Sequence, residues 1–468
     1  MKRAKRIYIL LGVLVVVSAA AVGVIHHQQE QEFIRTSGEV VLDIESDEVQ
    51  TLSWEYESEE LAFHRDDAWI YDGDESFPVD GEKIEELLAL FQEFRAAFVI
   101  EEVTDYAQYG LDDPVCTIRM SGDGEESWEI ALGDYSTMDA QRYVSLGDGK
   151  VYLVTTDPLD YFDAGLSDLI DHDDIPQFDQ AEALTLEGED SLQVVREEDS
   201  SHTYCSDDVY FRQEGEQLLP LDTSRVDSYL DDISGLDLTD YMTYNASQED
   251  LAVYGLDDPE LTVTVDYTDE EGAAGTFTLS VSRDPQERKS AEEETEETEE
   301  DEDEDEEEIT AYVRVGQSEI VYRIGGSSYE ALMECGYDDL RHREVFTADF
   351  TSVTGFNITL EGESYTITSE GEGEDRTFFY GEEELETDDL QSALEDLSAS
   401  EFTSQEPDQK EEISLTVYLD NENFPQVRIE LYRYDGERCL AVVDGEPVSL
   451  VPRSSVVDLV EAVNAIVL

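Results

Sequence analysis

The sequence predicts an α+β protein: three tandem related units of antiparallel sheet plus helix, behind one N-terminal transmembrane helix. Three observations carry this expectation. The hexapeptide Tyr109-Gly110-Leu111-Asp112-Asp113-Pro114 recurs 145 residues later as Tyr254-Gly255-Leu256-Asp257-Asp258-Pro259. An amphipathic helix pattern with apolar residues at i, i+3, i+4 and i+7 occurs three times. Its members are Ile84, Leu87, Leu88 and Phe91, then Val226, Tyr229, Leu230 and Ile233, then Leu390, Ala393, Leu394 and Leu397. Each pattern is followed by an alternating strand: VCTIRM at 115–120, LTVTVDY at 261–267 and ISLTVYL at 413–419.

Residues 1–6 form a basic end with Lys2, Arg3, Lys5 and Arg6. Residues 7–25 then run IYILLGVLVVVSAAAVGVI without a charge. Their 19 positions come close to the roughly 20 that a helix needs to cross a bilayer. Basic flanks stay in the cytoplasm, so the bulk of the chain is expected outside it, at a single-pass cell-membrane anchor. The rival reading is a cleaved signal peptide with Ala19-Ala20-Ala21 near its cleavage site, though the apolar run is long for one. Residues 26–40 are polar and read as a linker.

The first unit spans 41–176, the second 181–346 and a divergent third 347–468. In each, short strands come first, then the helix, then further strands, then a closing helical segment at 161–170, 328–335 or 454–467. Asp80 and Asp222 precede their helices by the spacing of an N-cap, and Thr387 can serve in the third. In the hexapeptide, Gly permits positive φ, the Asp pair can bond nearby amides, Pro launches a strand, and Tyr can anchor the turn. A strand-launching turn therefore accounts for every residue; a carboxylate pair binding a cation is the functional rival. The third unit reads Thr403-Ser404-Gln405-Glu406-Pro407-Asp408 at that place, with no counterpart.

A membrane anchor followed by repeated units with a Tyr-Gly-Leu-x-x-Pro turn resembles the uncharacterised bacterial family called domain of unknown function 4340. The resemblance covers about residues 45–340 well and the last unit poorly. Its members often accompany ABC-transport components of the gliding-motility type. The resemblance therefore implies a role outside the membrane beside a transporter, with ABC transporter subunits as partners. It implies no catalytic residues.

Composition removes several functions. The chain has 119 Asp+Glu against 27 Lys+Arg and a net charge of −92, so it lacks the cationic surface that nucleic acid requires. A single apolar run rules out a polytopic transporter. Such acidity favours solubility and suits either a salty environment or divalent cations at the surface. Fifteen acids crowd residues 292–308, an insertion in the second unit that reads as a self-repelling hairpin tip or as a tether for cations or a basic partner.

Chemistry-bearing motifs are scarce. There is no phosphate-binding G-x-x-x-x-G-K-[ST], no H-E-x-x-H and no G-x-S-x-G. Cys116, Cys205, Cys335 and Cys439 form no C-x-x-C, and Cys116 and Cys439 fall within strand-like runs, so they read as small apolar residues. His172 in Asp171-His172-Asp173-Asp174 reads as solvated before it reads as a ligand, and Asp72-Gly73-Asp74-Glu75 fails the EF-hand spacing. No catalytic, cofactor-binding or metal residue is assigned, and no cofactor. The expectation is a non-enzymatic, membrane-anchored extracytoplasmic protein, an accessory or binding component beside an ABC-type transport system. The alternatives are an envelope hydrolase with an acidic site between units, and a cation-binding structural surface protein.

Overall fold

The computed structural model describes residues 38–467, apart from 125, 179, 199–200 and 296–308. The basic end, the apolar run 7–25, nearly all of the linker and most of the acidic insertion lie outside the described residues. Among the described residues, no helix is long and apolar enough to cross a membrane. The chain divides after His172 into two compact units. The first holds one nine-stranded antiparallel sheet; the second holds two more.

The second and third sheets share one topology. In the second, the strands Gln180–Glu187, Ser191–Arg196, Tyr210–Glu214 and Gln217–Pro220 form a meander. The helix Thr223–Ser234 follows, then the short strand Tyr241–Thr243. A second meander runs Leu261–Thr268, Ala274–Arg283, Ala311–Val315 and Val321–Ile324. The two meanders join through their first strands, Leu184 facing Val265 and Leu186 facing Val263. The short strand then closes the far edge on Val321–Ile324. The third sheet repeats this plan around Val353–Leu360 and Glu411–Leu419, where Phe356 faces Val417.

The first sheet differs at its ends. Its leading meander has three strands, Val49–Tyr56, Glu59–Arg65 and Trp69–Tyr71. Its ninth strand, Glu39–Leu42, pairs instead with Phe94–Ile100 at the opposite edge. The central pairing is conserved in kind, with Trp54 facing Ile118. Trp54 stacks on Phe63 at 5.6 Å and meets Phe162 edge-on at 5.3 Å, filling the core beneath the helix Gly81–Ala89.

The three helix patterns are the three helices that cover these sheets. Ile84, Leu87, Leu88 and Phe91 are buried, as are Val226, Tyr229, Leu230 and Ile233, and Leu390, Ala393, Leu394 and Leu397. Alternation along the strands buries every second residue against them, as in Cys116, Ile118 and Met120. Asp80 caps its helix by accepting from the amides of Glu82 and Lys83 at 3.0 and 3.1 Å. Asp222 caps the second by accepting from Ser224 at 3.0 Å. The same two residues donate their own amides to Leu169, in the first closing segment, and to Leu340, at the end of the short helix Tyr337–Leu340 that follows the second.

Two local expectations need correction. Thr387 occupies the N-cap position of the helix Asp388–Glu395 but makes no side-chain cap bond; its backbone is at φ −108° and ψ 6°, not extended. The closing segment 161–170 is two pieces, Leu159–Phe162 and a 3-10 turn Leu166–Leu169. Gly165, extended at φ −86° and ψ 174°, separates them. The other closing helices are Gly326–Met333 and Arg453–Val467.

Candidate functional site

The repeated hexapeptides are turns. Tyr109 ends the 3-10 helix Ala107–Tyr109, Gly110 takes φ 67°, and the strand Cys116–Gly122 follows. Tyr254 ends the helix Gln248–Val253, Gly255 takes φ 72°, and the strand Leu261–Thr268 follows. The tyrosines are half-buried anchors: Tyr109 packs on Tyr143 at 5.0 Å and Tyr254 on Tyr312 at 4.9 Å. Asp112, Asp113, Asp257 and Asp258 are exposed. The first turn is closed instead by backbone bonds such as Leu111 N to Tyr106 O, the second by Leu256 N to Leu251 O.

The other motif candidates are similarly absorbed. Asp74 Oδ1 accepts from the Ser76 amide and hydroxyl, and Asp72 pairs with His64, so the 72–75 loop is closed by protein groups. Cys116 and Cys439 are buried in strands, and all four cysteines are free thiols.

The second compact unit holds a pocket of about 180 Å³ between elements of the second and third sheets. The loop before Tyr210–Glu214 contributes Thr203 and Tyr204; the connector that leads into the third sheet contributes His342 and Glu344; Phe402 and Val448 come from the third sheet. The lining mixes aromatic and aliphatic side chains with polar and charged ones. Tyr204 packs on Phe346 and Phe424 at 6.4 and 5.9 Å. The Arg341 guanidinium lies 3.8 Å from the Phe402 ring and 5.0 Å from that of Tyr337, and it donates to Val448 O at 3.2 Å. Arg343 lines the pocket with an exposed side chain.

Beside this pocket lies a cluster of ionisable groups. His342 Nε2 is 2.7 Å from Asp208 Oδ1. The other oxygen of Asp208 accepts from Thr203 Oγ1 at 2.6 Å. Asp208 is only 4% exposed. His342 Nδ1 faces Asp222 Oδ2 and Glu344 Oε2, both at 3.9 Å. Burial lowers the His342 pKa, but the bond to Asp208 and the charges of Asp208, Asp222 and Glu344 outweigh it and raise the value above the ordinary imidazole range. Burial, then the Asp208 charge, push the Cys205 thiol up to about 12.

Among the described residues, two groups of side chains have ligand atoms within 4.8 Å of one another: Cys205 with Asp208 and His342, and Asp222 with His342 and Glu344. Neither includes His172 or the 72–75 loop. The sequence offered no signal for them, because Asp208 and His342 are 134 residues apart and only the pairing of the second and third sheets' connectors brings them together. A thiol held this high is a poor nucleophile, so the arrangement suits binding better than covalent attack.

A family model described as Domain of unknown function (DUF4340) matches residues 69–214 and 212–416. The two matches begin at equivalent strands, Trp69–Tyr71 and Tyr210–Glu214. No curated protein and no solved structure matches the chain.

Proposed function

Since the chain belongs to the Domain of unknown function (DUF4340) family, which matches it twice and over most of its length, we propose that it is a non-enzymatic, membrane-anchored extracytoplasmic protein, an accessory or binding component beside an ABC-type transport system. The single observation that carries the binding reading is the pocket beside His342. At about 180 Å³ it is smaller than the usual 300–1,000 Å³ of small-molecule sites and has the size of a cleft for one partner side chain. Its aromatic walls, with Arg341 stacked against them, are the composition of an interface anchor point. Arg343 adds a cationic edge on an otherwise acidic protein, which favours an acidic or aromatic group on the partner.

The anchor is supported by the basic end followed by 19 uncharged residues. The thiol nearest the pocket, pushed up to about 12 by burial and the Asp208 charge, is a poor nucleophile, which disfavours thiol-dependent hydrolysis there. The test is cross-linking in intact source cells, followed by purification of the tagged full chain in mild detergent. An ATPase and a permease of one ABC system should co-purify. Recovery of intact chain with neither subunit would overturn the transport reading.

A further inference from the structure

We propose that Cys205, Asp208 and His342 bind one divalent transition-metal ion of the zinc class, with Asp222 and Glu344 orienting the imidazole from behind. The proposal is independent of the transport reading: either can fail without the other.

The donor set is selective. One sulfur, one imidazole nitrogen and one carboxylate oxygen converge with all three atoms within 4.8 Å. Calcium and magnesium take oxygen shells, whereas this mixture suits zinc, cobalt or a related ion. Three protein ligands leave a fourth position for water or an incoming group. The pocket supplies the approach, because Thr203, His342 and Glu344 line it.

Two of the ligands are held by one residue. The Thr203 hydroxyl donates to Asp208 Oδ2 at 2.6 Å and accepts from the Cys205 amide at 3.0 Å. Asp208 is thereby fixed with its other oxygen toward His342 at 2.7 Å. Metal-bound histidines commonly give their second nitrogen's proton to a carboxylate, which fixes the tautomer. Here Nδ1 already faces two carboxylates at 3.9 Å each. Asp222 also meets Arg225 at 3.4 Å, but Asp208 and Glu344 gain no cation from that contact. Three carboxylates around one imidazole leave a local excess of negative charge that a dication would offset.

The proton balance is simple. Binding expels the Cys205 thiol proton, and the Nε2 proton of a neutral His342 moves to Nδ1, which faces the Asp222 and Glu344 carboxylates at 3.9 Å. A protonated His342 releases its second proton as well. The +2 charge of the ion is then met by −1 on the thiolate and −1 on Asp208, with a neutral imidazole, so the ion and its three ligands sum to zero.

The test uses the full chain in detergent, stripped with chelator, in excess magnesium to occupy the acidic surface. Cobalt(II) should bind at one equivalent with a thiolate-to-cobalt charge-transfer band, and zinc should displace it. Cys205→Ser should abolish the band while circular dichroism stays unchanged. Asp222→Asn with Glu344→Gln, which keeps a capping side chain at 222, should weaken binding about 10–100-fold. Cobalt bound without a thiolate band, a band that survives in Cys205→Ser, or no uptake by the folded chain would each overturn the proposal.

Discussion

Gly110 and Gly255 stand 145 residues apart and hold the same left-handed backbone, φ 67° and 72°, at the same point of their sheets. Each follows a helical turn, each follows a tyrosine packed against a tyrosine of a trailing strand, and each approaches a strand too closely for a side chain. A Cβ at Gly110 would lie 2.8 Å from the Asp134 amide nitrogen, and one at Gly255 would lie 2.6 Å from Ser282 Oγ.

Both strain and close approach therefore oppose substitution. Gly110→Val and Gly255→Val should each destabilise by at least ~1 kcal/mol, since the left-handed region alone costs about 1–2 kcal/mol for an L-residue. Gly110→Val should cost more, because its clash includes the Asp134 backbone nitrogen as well as the Asp134 carboxyl, whereas the nearest atoms at Gly255 all belong to side chains. Denaturant unfolding of both variants checks this; unchanged midpoints would remove the turn from the account.

The caps separate real from apparent sequence signals. Asp80→Ala removes an acceptor for two helix amides and should cost about 1 kcal/mol. Thr387→Ala removes no cap bond and should stay within about 0.5 kcal/mol of the parent. Equal losses in thermal unfolding would contradict the distinction.

Much of the architecture was legible because its signals are local. Ile84, Val226 and Leu390 mark helix faces by spacing alone, and Ile118 or Val263 marks a strand face by alternation. Two features were not legible. Thr387 has the right residue type for a cap, but its backbone sits at φ −108° and ψ 6°, which residue type does not report. The Cys205, Asp208 and His342 cluster is a product of tertiary packing, with no motif at either end. The apolar run 7–25, whose signal is charge and hydropathy, falls outside the described residues.

Arg142 and Asp157 give a sharper stability test. Arg142 is 8% exposed, donates from Nε to Asp157 Oδ1 at 2.6 Å, and donates from a terminal nitrogen to Gly133 O at 2.7 Å. Asp157→Ala leaves that guanidinium buried without its counter-charge and should cost about 3–5 kcal/mol. The exposed pair Arg119 and Glu129, 3.2 Å apart, should contribute only about 0–1 kcal/mol when Glu129 is replaced by Ala. Chemical denaturation of the two variants should show that order.

The buried thiols predict a pH-dependent reactivity. Burial pushes Cys116 up to about 12 and Cys439 up to about 11. At neutral pH roughly one thiol in 10⁴ or fewer is then the reactive thiolate, and the fraction rises as pH rises toward those values. Iodoacetamide should leave both unmodified in the folded protein and alkylate both after denaturation, as read by peptide mass spectrometry. Rapid alkylation in the native state would show that these strands open readily.

We propose that a cytoplasmic basic end and a single apolar span, residues 1–25, hold the three sheets outside the cell membrane. Protease added to intact protoplasts, followed by immunodetection of tags at both ends of the chain, measures this directly. The account predicts digestion of the large C-terminal portion with the N-terminal tag spared. Full protection of the large portion in intact protoplasts, with digestion only after lysis, would contradict it.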